Sequence, residues 1–229
     1  MEAAQASDEQ AGKEHADESP VIQSPDRHVE EVVLASATGE ILHQRSAPEA
    51  GKRVTLLDSL ASFSARVGKV FPMLGKPDRL EIRDAGSRVI CLFLPENKMF
   101  VRLSTAPHQY ADAVDEPSSQ SWLDRAVGSS GVLAGGVRLS NHASVQSGDK
   151  AFPEAGLGEL AQCLTEVVSA LRNNGLGCVR LRWVFENGQI QSARSRDDSI
   201  AFVVAKNDPS VASVVEELFS GACLVESGK

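Results

Sequence analysis

The chain has 229 residues and a mass of 24.4 kDa, with 23 Lys and Arg against 31 Asp and Glu, a formal charge of -8, and 42% hydrophobic but only 5% aromatic residues. Those values suit one large or two small globular units of about 100 residues each and exclude collagen-like, coiled-coil and disulfide-scaffold classes. Apolar runs such as residues 89–94 are far shorter than the ~20 residues that cross a bilayer, and the opening MEAAQASDEQ has neither a basic start nor an apolar segment. The expectation is a cytoplasmic protein with no membrane contact. Cys91, Cys163, Cys178 and Cys223 stand far apart with no CxxC pair, as reduced thiols used as small apolar residues do. An acidic balance also argues against nucleic acid as a partner, which requires a cationic face.

In chain order, residues 1–28 hold seven acids and two bases, which carry -5 of the -8, and almost no large apolar residue before Val21. Such a segment cannot offset its ordering entropy and reads as a disordered acidic tail. Residues 32–37 and 40–45, separated by Thr38-Gly39, predict a β-hairpin. Thr55 with Asp58 forms a capping-box-like start, and Leu56, Leu57, Leu60, Phe63, Val67, Val70 and Phe71 follow at helical spacing, so a helix is expected over 55–71, ended near Pro72 and Gly75. Residues 80–83, 89–94 and 99–103, separated by turns at Asp84-Ala85-Gly86 and around Pro95, predict three more strands in a meander.

Residues 104–120, rich in Pro, Ser, Asp and Ala without a sustained period, read as a linker. The order then recurs. A short helix over 121–127 precedes strands over 132–139 and 142–146 and a helix over 157–173 with Leu160, Leu164, Val167, Val168 and Leu171 on one stripe. In residues 178–185, Val179, Leu181, Trp183 and Phe185 alternate with Arg180 and Arg182, which places Trp183 against a helix and the arginines on the opposite face. Asn187-Gly188 is the strongest hairpin signal in the chain, strands over 189–196 and 200–205 return, and Asp208-Pro209 opens a last helix through Phe219. Both halves read hairpin, helix, three-strand meander, with Gly86 and Gly188 lying 102 residues apart. The fold class expected is α+β, as two copies of one small domain, each a five-stranded antiparallel sheet with its helix between hairpin and meander.

The texts VLAGGVRLSNHASVQS and VRLRWVFENGQIQSARSRDDSIAFVVAKNDPSVASVVEELF resemble the first hairpin, and the meander with last helix, of the roadblock family of dynein light chains and bacterial GTPase-partner proteins. VVLASATGEILHQRS and PDRLEIRDAGSRVICLFLPENKMFVRLS match the same pattern without a leading helix. The resemblance covers about 180 residues and consists of hydrophobicity and turn patterns rather than a catalytic signature; longin and profilin-like folds produce similar text. It implies domains at 29–104 and 119–221, joined by a linker over 105–118 and followed by a tail over 222–229. It also implies pairing of the copies through central helix and third strand as an internal pseudo-dimer, or a homodimer of chains, and a platform for a small Ras-like GTPase or a signalling or motor complex.

No catalytic constellation survives inspection. Ala50-Gly51-Lys52-Arg53 lacks the leading Gly and following Ser or Thr of a phosphate loop, and precedes the expected helix by a β-like stretch. The five histidines show no ligand spacing among themselves or with the cysteines, so no metal site and no cofactor are expected, and the protein reads as a non-enzyme. Arg180, Arg182, Arg194 and Arg196 are expected as a cationic strip across the hairpin turn, a solvated face with carboxylate partners or a contact for an acidic protein. Beside the stripe of the first long helix, Ala61, Ala65 and Gly68 make a smooth flank for close approach of another backbone. In the counterpart helix Glu159, Gln162, Glu166 and Ser169 are exposed positions, so Arg66 and Lys69 are expected to face acids across the junction. The candidate protein-binding residues are therefore Ala61, Ala65, Arg66, Gly68, Lys69, Gln162, Glu166, Arg180 and Arg182. The function read from these patterns is a protein-binding platform or regulator; the alternative is a ligand-sensing domain pair of the longin or profilin-like class.

Overall fold

The computed structural model describes residues 28–84, 86–105, 119–139, 143–194 and 199–220. The expected acidic tail before His28, the linker after Thr105, the terminal tail and Arg196 lie outside the described residues. Strands β1 (Val29–Ser36) and β2 (Ile41–Arg45) form the first hairpin, with Gly39 at φ 88° in its turn, where a side chain would be strained. Helix α1 spans Ala50–Val70 and a 3-10 turn, Pro72–Leu74, follows it. Strands β3 (Pro77–Arg83), β4 (Ser87–Phe93) and β5 (Asn97–Ser104) make the meander. The second half runs α2 (Ser119–Gly128), β6 (Val132–Arg138), β7 (Ala143–Ser147), α3 (Glu154–Asn173), β8 (Arg180–Phe185), β9 (Gly188–Arg194), β10 (Ile200–Lys206) and α4 (Pro209–Ser220).

Helix α1 starts five residues before the expected Thr55. The Thr55 hydroxyl donates to the Gly51 carbonyl at 3.1 Å inside the helix instead of capping it, and Glu49 stands at the N-cap without a side-chain cap bond. Ala50-Gly51-Lys52-Arg53 is thus the first helical turn, with no β-like stretch between it and Thr55. Gly51, Val54 and Thr55 have modest helix propensity, but Ala50, Arg53, Val54, Leu56 and Leu57 are buried, and tertiary packing of that face outweighs propensity.

The strands form one antiparallel sheet of ten in the order β2-β1-β5-β4-β3-β8-β9-β10-β6-β7. Each half keeps the same internal order, and they join where β3 pairs with β8, Leu80 opposite Trp183 and Glu81 opposite Arg182. The result is a continuous sheet rather than two separate five-stranded ones. Helices α1 and α3 pack side by side on one face, over a core that runs without interruption from Val33 and Phe100 to Ile200 and Phe202. On the other face a second core holds α2 and α4 against the second half alone. There Trp122, Leu123, Val211, Val215, Leu218 and Phe219 lie over Ala193, Ala201 and Val203, and the Trp122 indole donates to the Leu218 carbonyl at 3.1 Å. Among the described residues no helix is long and apolar enough to cross a membrane.

Candidate functional site

The join between the halves gathers most of the chemistry-bearing side chains, on both sheet faces. On the helical face, α1 and the Phe71 that follows it meet α3 through Val67, Val70 and Phe71. Gly156 supplies the close approach: a Cβ there would lie 2.9 Å from Val70 Cγ1 and 3.1 Å from the Phe71 ring. The flank of Ala61, Ala65 and Gly68 does not make that seam. Ala65 is exposed, Ala61 and Gly68 are half-buried, and a Cβ on Gly68 would meet nothing within 4 Å, so no neighbour packs closely against Gly68. Small residues permit close approach, but which face has a neighbour is decided by the packing of α1 on the sheet.

Of the two bases expected to face acids across the junction, Arg66 is ion-paired with α3, whereas Lys69 stands at the rim of the neighbouring groove. The Arg66 guanidinium donates to the Glu166 carboxylate, which also accepts from Gln162 Nε2 at 3.2 Å. The Arg66 hydrogen bond holds the Glu166 carboxyl below the usual carboxylate value. Next to this bridge a groove of about 190 Å³ opens between the helices, with Val67, Val70 and Leu160 at its floor and Arg66, Lys69 and Glu159 at its rim. Cys163 also lines it, and burial pushes that thiol up to about 11, so it stays protonated and behaves as apolar lining.

On the opposite face the arginines are arranged differently from the expected strip. Arg180 and Arg182 lie opposite Ala193 and Gln191 of β9, and strand alternation turns Arg194 to the other side of the sheet. Their charged neighbours come from β3, where Arg83 stands opposite Arg180 and Glu81 opposite Arg182. The row therefore crosses the join between halves instead of the hairpin. Arg180 is held down by α4, donating to the Glu216 carboxylate at 2.5 Å and to the Phe219 carbonyl at 3.0 Å; Arg182 donates to Gln189 Oε1 at 2.8 Å.

At the centre of this row sits Glu81, which the sequence reading missed although Arg79, Glu81 and Arg83 alternate at period two. Its carboxylate, 6% exposed, accepts from Arg79 Nε at 2.8 Å and Arg88 Nη2 at 2.7 Å. Burial by itself would raise the Glu81 carboxyl, but the hydrogen bonds from Arg79 and Arg88, with the charges of Arg88 and Arg182, hold it below the usual value. A carboxyl lowered on folding contributes stability that is complete above the unfolded value of about 4.3 and is lost as pH falls through the folded one. Glu81→Gln is therefore expected to flatten the acid limb. Between about pH 5 and about pH 3 the parent's midpoint should fall more steeply than the variant's, and parallel curves would show that Glu81 titrates as an ordinary exposed acid.

Among the described residues no group of three or more His, Cys, Asp or Glu is placed to hold a metal ion. No protein-family model, curated protein or solved structure matches this chain.

Proposed function

We propose that this chain is a non-enzymatic platform that binds and regulates another protein, a small Ras-like GTPase being the first candidate, through the composite face made by α1 and α3. The observation that carries the reading is the continuous sheet: β3 on β8 sets the two long helices side by side, so the groove with Arg66, Lys69 and Glu159 at its rim is drawn from both halves and exists in neither alone. A mixed-charge rim over an apolar floor is the composition of a protein-binding surface. The roadblock-like pattern of the sequence adds weight to the same reading, since it implies pairing through central helix and third strand. The groove opens at the surface of the seam rather than between helix and sheet, which supports a platform over a ligand-sensing pair.

Ala65→Arg tests this directly. Ala65 is exposed and outside the α1–α3 seam, so the variant should keep the parent's circular dichroism and thermal midpoint. Partners captured by the parent from a native lysate and identified by mass spectrometry should include a small GTPase, and should be lost from Ala65→Arg and from an Arg66→Glu, Lys69→Glu variant. Equal capture by all three would remove this face as the platform.

A further inference from the structure

The two halves differ on the face opposite α1 and α3. In the second half that face is covered by α2 and α4, whereas none of the described helices lies over β1, β5 and β4. Strand alternation there places Val32 and Leu34 of β1, Ile90 and Leu92 of β4, and Val101 and Leu103 of β5 together, with Met99 among them, each only half-buried. Contiguous apolar surface of this kind marks an interaction site.

The ladder registers show what the bare face corresponds to. Arg83 opposite Arg88 and Val184 opposite Gln189 are the last pairs before the two equivalent hairpin tips. Counting outward from them, Leu92 stands where the second half has Ala193, Met99 where it has Ala201, Val101 where it has Val203, and Val32 where it has Gly135. Those second-half residues are the floor under α2 and α4, and a Cβ on Gly135 would press Leu123 of α2 at 3.2 Å. The same count sets Arg79 in the place of Arg180, whose guanidinium is neutralised by Glu216 of α4. Arg79 is 36% exposed and pairs with Asp78 at 3.1 Å; it shares the Glu81 carboxylate with Arg88, which stands opposite Arg83, and with the charge of Arg182, so the positive charges of this cluster outnumber its two carboxylates.

We infer that the open face of the first half is a docking surface for an amphipathic helix of another protein, one that carries a carboxylate on the flank meeting Arg79 and Arg88. A helix is the element that solves the same problem in the second half, and the excess positive charge of Arg79, Arg88 and Arg182 over Asp78 and Glu81 sets the charge of its flank. Residues 1–27, 106–118 and 221–229 contain no stripe comparable with Val211, Val215, Leu218 and Phe219, holding few large apolar residues such as Val21, Ile22, Tyr110, Val114, Leu224 and Val225. This surface lies on the opposite side of the sheet from the α1–α3 groove and shares no residue with it.

The test pans a phage-displayed library of helical 16-residue peptides, randomised at apolar and charged positions, against the full chain. Enriched peptides should repeat apolar residues at i, i+3 or i+4 and i+7 with Glu or Asp along one flank. Their affinity should fall at least about tenfold on Val101→Lys and on Arg79→Glu, should not change on Ala65→Arg, and should return on Arg79→Glu when the peptide acid is made Lys. Met99→Lys serves in place of Val101→Lys if the latter loses the parent's circular dichroism. The inference is overturned if no peptide is enriched over an unrelated protein, or if binding ignores the Val101, Met99 and Arg79 changes. It is equally overturned if the chain sediments as a dimer that Val101→Lys dissociates, or if peptides bind only after truncation beyond Ser220.

Discussion

Replacing Arg53 by Met is expected to destabilise the protein by about 3–5 kcal/mol, because it breaks a buried ion pair from one side only. The guanidinium is 8% exposed on α1; it donates to Glu31 Oε1 of β1 at 2.9 Å and to the carbonyl of Asn174, the C-cap of α3, at 2.8 Å, and lies over the Phe100 ring. Met retains much of the stem's packing, so the loss reports the charge: the Glu31 carboxylate would be left buried without its cation and a helix-end carbonyl without its donor. Removing both charges, as Arg53→Met with Glu31→Leu, should recover a large part of the loss, since an apolar pair of similar volume is often as stable as a buried ion pair. Urea denaturation of the parent, single and double variants measures this. A single variant within about 1 kcal/mol of the parent would mean that the guanidinium is hydrated and ties α1 neither to β1 nor to α3.

Trp183→Ala is the second large effect, with about 3–5 kcal/mol expected for removing a wholly buried indole. The ring lies on β8, is 0% exposed, and its Nε1 donates to the Ser64 hydroxyl of α1 at 3.1 Å. Because this bond spans the halves, the cavity opens at the join rather than within one half. Trp183→Phe should cost less, since it keeps most of the apolar contact and loses the hydrogen bond. The parent should unfold in one transition by calorimetry, and Trp183→Ala should unfold earlier and over a broader range, as coupling between halves weakens. An alanine variant as stable as the parent would contradict the burial of this face.

What was legible in the sequence was the element order, because each signal is local. The alternation of Leu181, Trp183 and Phe185 with Arg180 and Arg182 names the strand and both its faces, and the stripe of Leu160, Leu164 and Val167 names α3. The start of α1 was hidden: Gly51, Val54 and Thr55 weaken the local helical signal, and burial against the sheet is what extends the helix to Ala50. The seam was also hidden, since Gly156 is one small residue among several and only the approach of Val70 and Phe71 distinguishes it from Gly68. Placing Arg194 with Arg180 failed because faces in a ladder follow the pairing register, which the turn dipeptide alone does not determine. One available signal went unused. Residues 32–34 and 89–92 are apolar without alternation, the pattern of strands covered on both faces, and it marks the face that stands open opposite α1.

The central claim is that β3 and β8 are interior strands of a single sheet, which is what places α1 beside α3. Hydrogen exchange of the intact chain, followed by mass spectrometry after proteolysis or by NMR, addresses it most directly, since a paired interior strand opens only in large unfolding events whereas an edge exchanges by fraying. The amides of Leu80, Ile82, Leu181 and Trp183 should exchange as slowly as those of Phe202 and Val204 in β10, and far more slowly than those of the edge strand β2. Exchange at β3 and β8 as fast as at Ile41–Arg45 would mean that both are free edges, and the composite face built on their pairing would not exist.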